Sequence, residues 1–305
     1  MDQVVVVGGG LAGVAAAVTL GRAGFRVLLA EERGCLGWEV NRAGRLFADL
    51  SQGQVAGTLK SLVTSRQGFS SGVLNPAVVE MALDRMVEEA GVELLFHARP
   101  HRLRRDKEQF SGIVLAIRNG PFPVSADLVI DATHTGRLVR EYPRQFRTKK
   151  DPPTVVFGLL LSGTEIDCPL TITEGLPKEV SAARLTPLNP ERCLLDVHLS
   201  LKEGVDTFDP SCQAELTLAR VITPVLETIR GTVNGAERAT VLLTAAEAWY
   251  LPFQSVQLTG YTACKGLIAA GAYLEDVRSR LSVPGEEIDC LLDLGESVAK
   301  SILSS

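Results

Sequence analysis

The 305-residue chain has no C-x-x-C pair; its six cysteines, Cys35, Cys168, Cys193, Cys212, Cys264 and Cys290, are scattered. That spacing argues against a dithiol redox centre, a zinc ribbon or a cysteine-ligated iron–sulfur cluster, and leaves buried free thiols as the expected role. The four histidines, His97, His101, His134 and His198, are equally dispersed, so no metal site is expected. Basic blocks are also missing. A formal net charge of -5 provides no field for nucleic acid, and the densest basic cluster, Arg102, Arg104, Arg105 and Lys107, reads as a solvated strand end. No uninterrupted apolar run approaches the roughly 18 residues of a membrane span. The apolar opening lacks a basic n-region, since only Asp2 and Gln3 follow Met1, so it does not read as a secretion signal. A cytoplasmic protein, without a membrane span or a nucleic-acid partner, is the expectation.

What is present is ordinary in bulk and specific in one place. Hydrophobic residues make up 46% and charged residues 22%, as in soluble globular chains, and the length suits about two domains. The specific stretch runs from Gln3 to Arg33. Four valines, Val4 to Val7, suit a strand buried on both faces, and Gly8, Gly10 and Gly13 follow in G-x-G-x-x-G spacing. The first glycine permits the strand-to-helix turn, the second lets backbone approach a pyrophosphate, and the third brings helix against sheet. The helix begins at Leu11 and Ala12 with amides that lack intrahelical partners, a favourable place for an anion. Small residues from Val14 to Val18 let it pack closely, Gly24 ends it, and residues 25–30 read as a second buried strand. Glu31 then lies about 20 residues beyond the glycines, where a carboxylate accepts from both ribose hydroxyls; Glu32 takes that role if the register differs by one.

After this strand, Arg33-Gly34-Cys35-Leu36-Gly37-Trp38-Glu39-Val40 resembles the R-G-x-L-G-G segment of FAD-dependent oxidoreductases of the glutathione reductase type. In that family the segment runs along ribose and phosphates towards the flavin. Leu36 and Gly37 match, whereas Trp38 replaces a glycine where backbone is usually close to the cofactor. Asp131-Ala132-Thr133 resembles the family's second flavin segment, D-A-T-G, with His134 in place of glycine, Gly136 kept, and Arg137 in place of an acidic residue. A third resemblance is a short buried strand ending at Gly271 and followed by a helix. The family often has an acidic residue after that glycine, where this chain has Ala272 and Tyr273. The resemblance also implies that adenine is held at the end of the strand over residues 92–97, where Pro100 removes one amide donor.

Elsewhere, residues 41–74 predict little. Asn75-Pro76 starts a helix by cap and first-turn chemistry; Val79, Leu83, Met86 and Val87 continue it and Gly91 closes it. Residues 111–118 and 124–130 read as β segments of a meander around the Asn119-Gly120 turn. Residues 154–161 and 192–199 read as strands flanking a loop-rich stretch containing Pro169, Pro177, Pro187 and Pro190. Asp209-Pro210 starts a helix that continues through Leu216, Ala219 and Ile222 and which Pro224 kinks or interrupts; 240–244 is a strand, and 288–303 an amphipathic helix.

The expected fold is α/β. A Rossmann-like FAD-binding domain with a parallel sheet and β-meander spans 1–147 and 259–305, with an inserted mixed α+β substrate or cap domain at 148–258. The leading expectation is an FAD-dependent oxidoreductase moving hydride between a small organic substrate and flavin. Its cofactor path runs over the residues above, and His134, Glu39 and Arg42 are the candidates near the ring. A flavin-binding or cofactor-less subunit of a larger complex is the first alternative, because two motifs have lost glycines and no acid–base constellation emerges. A dehydrogenase using NAD(P) through the first motif alone is the second, and it leaves the Asp131 segment without a use. A homo-oligomer or a partner subunit is compatible with either.

Overall fold

The computed structural model describes residues 3–106, 109–141, 147–150, 154–201, 210–252 and 254–304. Lys107 and Asp209, singled out above, lie outside the described residues. The chain forms two compact units. One comprises Met1–Asn41, Leu46–Lys150 and Gln254–Ser305, and the other Arg42–Arg45 with Asp151–Phe253.

The first unit opens with β1 (Gln3–Val7), α1 (Leu11–Arg22) and β2 (Arg26–Glu31), the four valines being buried as an inner parallel strand requires. A short α2 (Trp38–Asn41) follows, then α3 (Gln54–Ser65), the two-residue strands β3 (Phe69–Ser70) and β4 (Val73–Leu74), and α4 (Pro76–Glu89). The strand β5 (Glu93–Phe96) pairs with β2 in parallel. The meander is β6 (Arg99–Asp106), β7 (Gln109–Ile117) and β8 (Gly120–Ser125), and β9 (Leu128–Asp131) returns beside β1. Residues 124–130 are therefore two strands, not one. Asp127 breaks them: its amide donates to the Gln3 carbonyl at 2.9 Å and its carboxylate accepts from the Gln3 amide at 2.8 Å, so the chain leaves the meander and enters the parallel sheet there. Arg102, Arg104 and Arg105 line an open hollow on one face of the meander. A register shift between Arg104 and Arg105 accounts for two neighbours sharing a face.

Asn75 caps α4 as its type allows, its side-chain oxygen accepting from the amides of Ala77 at 3.1 Å and Val78 at 3.4 Å. Asn75→Ala is expected to cost about 1 kcal/mol, read as a lower urea midpoint with an unchanged slope. By contrast α3, inside the stretch that predicted little, has no local cap. Its Gln54 and Val55 amides donate to the Glu296 carboxylate, each at 3.2 Å, from a helix over two hundred residues away.

The strand β10 (Arg147–Lys150) ends the first pass through this unit. In the second unit β11 (Thr154–Ser162), β12 (Leu170–Ile172), β13 (Val180–Asn189), β14 (Arg192–Leu199), β15 (Thr240–Thr244) and β16 (Trp249–Leu251) form one antiparallel sheet in the order β12-β13-β14-β11-β15, with β16 also on β11. Pro187, expected in a loop, lies within β13, where the ladder shifts register between Pro187 and Asn189 and so tolerates the missing amide. The helix α5 (Ser211–Thr232) runs uninterrupted through Pro224. Val221, Val225 and Ile229 are buried on both sides of the proline, and their burial offsets an interior proline that costs about 3 kcal/mol. The buried face of α5 is Ala214, Leu218, Val221, Val225 and Ile229, and Leu216 is exposed. Cys212 is also off this face and exposed, as is Cys168, so free thiols are buried only at Cys193, Cys264 and Cys290.

The chain then re-enters the first unit with β17 (Gln254–Gln257), which pairs with β10, and β18 (Thr262–Cys264) and β19 (Leu267–Ala269). The large sheet has the order β18-β19-β9-β1-β2-β5, parallel except for β18. Two helices close the chain, α6 (Glu275–Leu281) and α7 (Glu287–Leu303). At Gly295 a Cβ would lie 2.0 Å from the Ala12 carbonyl oxygen, so the bare α-carbon is what lets α7 lie against α1. Among the described residues no helix is long and apolar enough to cross a membrane.

Candidate functional site

The parallel strands β1, β2 and β9 end side by side, and their C-terminal turns hold most of the residues named from the sequence. Gly8 has φ +106°, a conformation other residues rarely adopt, and a Cβ there would lie 2.4 Å from the Ala132 carbonyl oxygen. The first glycine turn and the Ala132-Thr133 segment are thus one surface. Gly13 has no room either, since its Cβ would fall 1.8 Å from the Gly8 oxygen. Gly9 sits between Leu36 and Glu31, with a Cβ position 2.7 Å from Leu36 Cδ2 and 2.9 Å from Glu31 Cβ, and its amide donates to Glu31 Oε2.

Glu31 ends β2 with a buried carboxylate whose Oε1 accepts from the Arg33 amide at 2.8 Å. Burial pushes its pKa up, opposed chiefly by the Arg33 guanidinium. Glu32 is on the surface, 3.3 Å from Arg33 Nη1 and 3.4 Å from Arg99 Nε, so Glu31 is the acidic residue that borders the glycine turn. Leu36 is buried, and Gly37, at φ +65°, donates to the Gly9 carbonyl at 2.8 Å. This bond ties the Arg33–Trp38 segment to the front of α1. Pro100 is further along the chain on the meander, facing Leu115 across the ladder.

Trp38 and Glu39 are both buried, and they fill the space in front of Gly10. A Cβ at Gly10 would meet Glu39 Oε1 at 2.4 Å and Trp38 Nε1 at 3.3 Å. The Leu11 amide, first of α1, donates to Glu39 Oε1 at 3.1 Å and Oε2 at 3.2 Å. Burial drives the Glu39 carboxyl up to about 7, against the lowering effect of its own and the Leu11 amides and of Arg33. The Arg33 guanidinium lies 4.6 Å over the Trp38 ring, and His134 meets the same ring edge-on at 4.8 Å between centroids.

Asp131, at the end of β9, is fully buried and organises its own turn. Oδ1 accepts from the Thr133 amide at 3.1 Å and hydroxyl at 2.6 Å, and Oδ2 from the Leu138 and Val139 amides at 2.8 and 2.9 Å. Burial still raises its pKa despite these bonds. Gly271 abuts this turn, its Cβ position 2.5 Å from the Thr133 oxygen. Tyr273, which stands near the usual acidic position after Gly271, has a role that nothing local in the sequence marks. It is fully buried, donates to the Asp131 carbonyl at 2.8 Å, and covers the bare faces of Gly136 and Gly271. Arg42 belongs, with Arg45, to the second unit, where it pairs with Glu247. Among the described residues no cluster of His, Cys, Asp or Glu could hold a metal ion.

Residues 3–151 match the family model described as FAD dependent oxidoreductase. FAD is accordingly the cofactor, and a redox enzyme the class. No curated protein matches the chain. Among solved structures, a geranylgeranyl bacteriochlorophyll reductase-like protein from Thermoplasma acidophilum superposes with TM-score 0.70 at 14% identity, covering 99% of this chain and 79% of that one. The myxobacterial chondrochloren halogenase CndH, a FAD-dependent halogenase, gives 0.68 at 15%, covering 100% and 76%. Aklavinone-11 hydroxylase, in a ternary complex with FAD and aklavinone, gives 0.60 at 18%, covering 99% and 62%. At these identities the likeness is one of fold.

The residues of this chain fit the cofactor unevenly. The adenosine end has a buried carboxylate at the strand end and glycines whose side chains would fill the cradle. At the pyrophosphate end the amide that an anion would take is already bonded to Glu39.

Proposed function

We propose that the chain moves hydride between a small organic substrate and FAD lying over the C-terminal ends of β1, β2 and β9, in the manner of the glutathione reductase type. One observation carries this reading: the glycine turn and the Ala132-Thr133 segment meet at Gly8, so two separate cofactor segments form a single bed. Glu31 is suited to accept from the ribose hydroxyls. Gly8, Gly10 and Gly13 admit the pyrophosphate to the N-terminus of α1 through Leu11 and Ala12. Leu36, Gly37 and Trp38 with Ala132, Thr133 and Gly271 lead towards the ring, and Arg33 shields the ribose end. Bound flavin supplies the hydride-accepting chemistry, and the protein supplies orientation and electrostatics. His134, which lies against Trp38, is the candidate to hold or donate a proton beside the ring.

The enzyme is read as cytoplasmic, alone, as a homo-oligomer or with a partner subunit. Purified protein loaded with FAD and desalted should retain a flavin absorption band that bleaches anaerobically on adding a competent organic donor. Retained flavin that no donor bleaches until a partner protein is added would favour the subunit alternative, which the bulk of Trp38 and Glu39 also supports. No retained flavin would overturn the enzyme reading and leave the cofactor-less form of the subunit alternative.

A further inference from the structure

Two helices of the first unit have their leading amides held by a glutamate from elsewhere in the chain. For α3 it is Glu296, which also pairs with Lys300 at 2.6 Å. For α1 it is Glu39. The two carboxylates are chemically unlike. Burial raises the Glu296 pKa, but Lys300 and the two amides outweigh it and hold the group below its ordinary range. At Glu39 burial dominates over the amides and the Arg33 charge. At α3 a carboxylate is a helix cap and nothing more is asked of that end. The N-terminus of α1 follows the G-x-G-x-x-G turn, and it is the helix end that a dinucleotide's pyrophosphate needs.

We propose, on the reading that this chain binds FAD, that the Glu39 carboxyl group is an internal occupant that competes with the cofactor's pyrophosphate for the N-terminus of α1 and so sets the cofactor's affinity. Both would accept from the same amide, and the carboxyl group lies where Gly10 leaves room for backbone to approach a ligand. FAD therefore binds only as Glu39 swings off the Leu11 amide. Glu39 ends a flexible side chain, so this movement leaves the glycine turn in place.

The sign of the pH dependence follows from where Glu39 holds its proton more tightly. On the amide its pKa is about 7, and released to water it returns towards the ordinary 4.5. The amide-bound arrangement thus takes up a proton below pH 7, and acid strengthens it at the expense of FAD. Other groups face Glu39 too: Glu31 from the end of β2, Arg33 from the following loop, and His134 through Trp38, while α4 presents the apolar Leu83 at Gly37. Variants at position 39 separate its titration from theirs.

The test is FAD affinity from flavin fluorescence at about pH 8 and about pH 5.5, on the full chain, for wild type, Glu39→Ala and Glu39→Gln, each checked for fold by circular dichroism. Wild type should bind at least about tenfold more weakly at the lower pH. Glu39→Ala should bind more tightly than wild type at both values, with most of the pH dependence gone. Glu39→Gln, neutral and still able to accept from the amide, should stay near the weak acid-side affinity at both. FAD binding indifferent to residue 39 in folded variants would overturn the proposal and leave Glu39 a helix cap like Glu296. Failure of all three to bind FAD would overturn the FAD reading itself, and the proposal with it.

Discussion

Gly10→Val is expected to leave the protein folded and to abolish FAD binding. Gly10 has φ -66° and ψ 175°, which any residue adopts, so the substitution strains no backbone. The atoms a Cβ would meet are the carboxylate of Glu39 and the indole nitrogen of Trp38. The nearer of these ends a flexible side chain and can yield by a rotamer change, so the fold survives. The new side chain cannot yield to a ligand, because it fills the approach to the Leu11 amide. A loss of about 100-fold or more in affinity, ~2.7 kcal/mol, is expected, read from flavin fluorescence with an intact thermal transition as the control. Gly13 and Gly295 would not serve this purpose. Their missing Cβ atoms would strike backbone oxygens at 1.8 and 2.0 Å, and such a variant tests packing rather than binding.

The largest expected loss of stability is in the second unit, on Arg45→Ala. Arg45 forms a two-point pair with Asp196, Nη2 on Oδ1 and Nη1 on Oδ2 at 3.3 Å, and the side chains are only 5% and 9% exposed. Removing the guanidinium leaves a carboxylate buried without its main partner, which costs about 3–5 kcal/mol. The comparison with Arg85 and Glu89 shows that burial, not distance, decides the magnitude. That pair is 2.6 Å apart but about half exposed, and Arg85→Ala should cost only about 0.3–0.5 kcal/mol. Urea denaturation of both variants checks the ratio. Replacing Arg45 and Asp196 together by Met and Leu should recover most of the loss, since a buried pair gains little over well-packed apolar residues. A cost below about 1 kcal/mol for Arg45→Ala would show the pair to be dispensable.

Features with local causes were legible in the sequence. The Asn75-Pro76 start of α4, its buried face at Val79, Leu83, Met86 and Val87, and the β1–α1–β2 unit each rest on neighbours within a turn or two. What escaped was held from a distance. The helix α3 is capped by Glu296, the meander is parted from β9 by a bond between Asp127 and Gln3, and Tyr273 packs on Gly136 and bonds to the Asp131 carbonyl, both over a hundred residues away. Pro187 and Pro224 were read by their intrinsic preference, which a register shift in one case and a long buried helix face in the other override. At the site, the glycines and Glu31 were legible because their spacing is set by the turn itself. Trp38 stood out as a departure from the resembled segment, but that it and Glu39 jointly occupy the front of Gly10 depends on the fold of residues 33–41 over α1. Arg42, a candidate near the ring from the sequence, falls in the second unit, which the chain enters directly after Asn41.

The central claim is that this bed takes FAD. Its most direct measurement is a titration of the purified chain with FAD at about pH 8, where Glu39 competes least, with NAD and NADP run beside it. Saturable binding of one FAD per chain, lost in Gly10→Val and not displaced by the nicotinamide nucleotides, is the result expected. No FAD binding in either wild type or Glu39→Ala, or binding of NAD or NADP in its place, would contradict it.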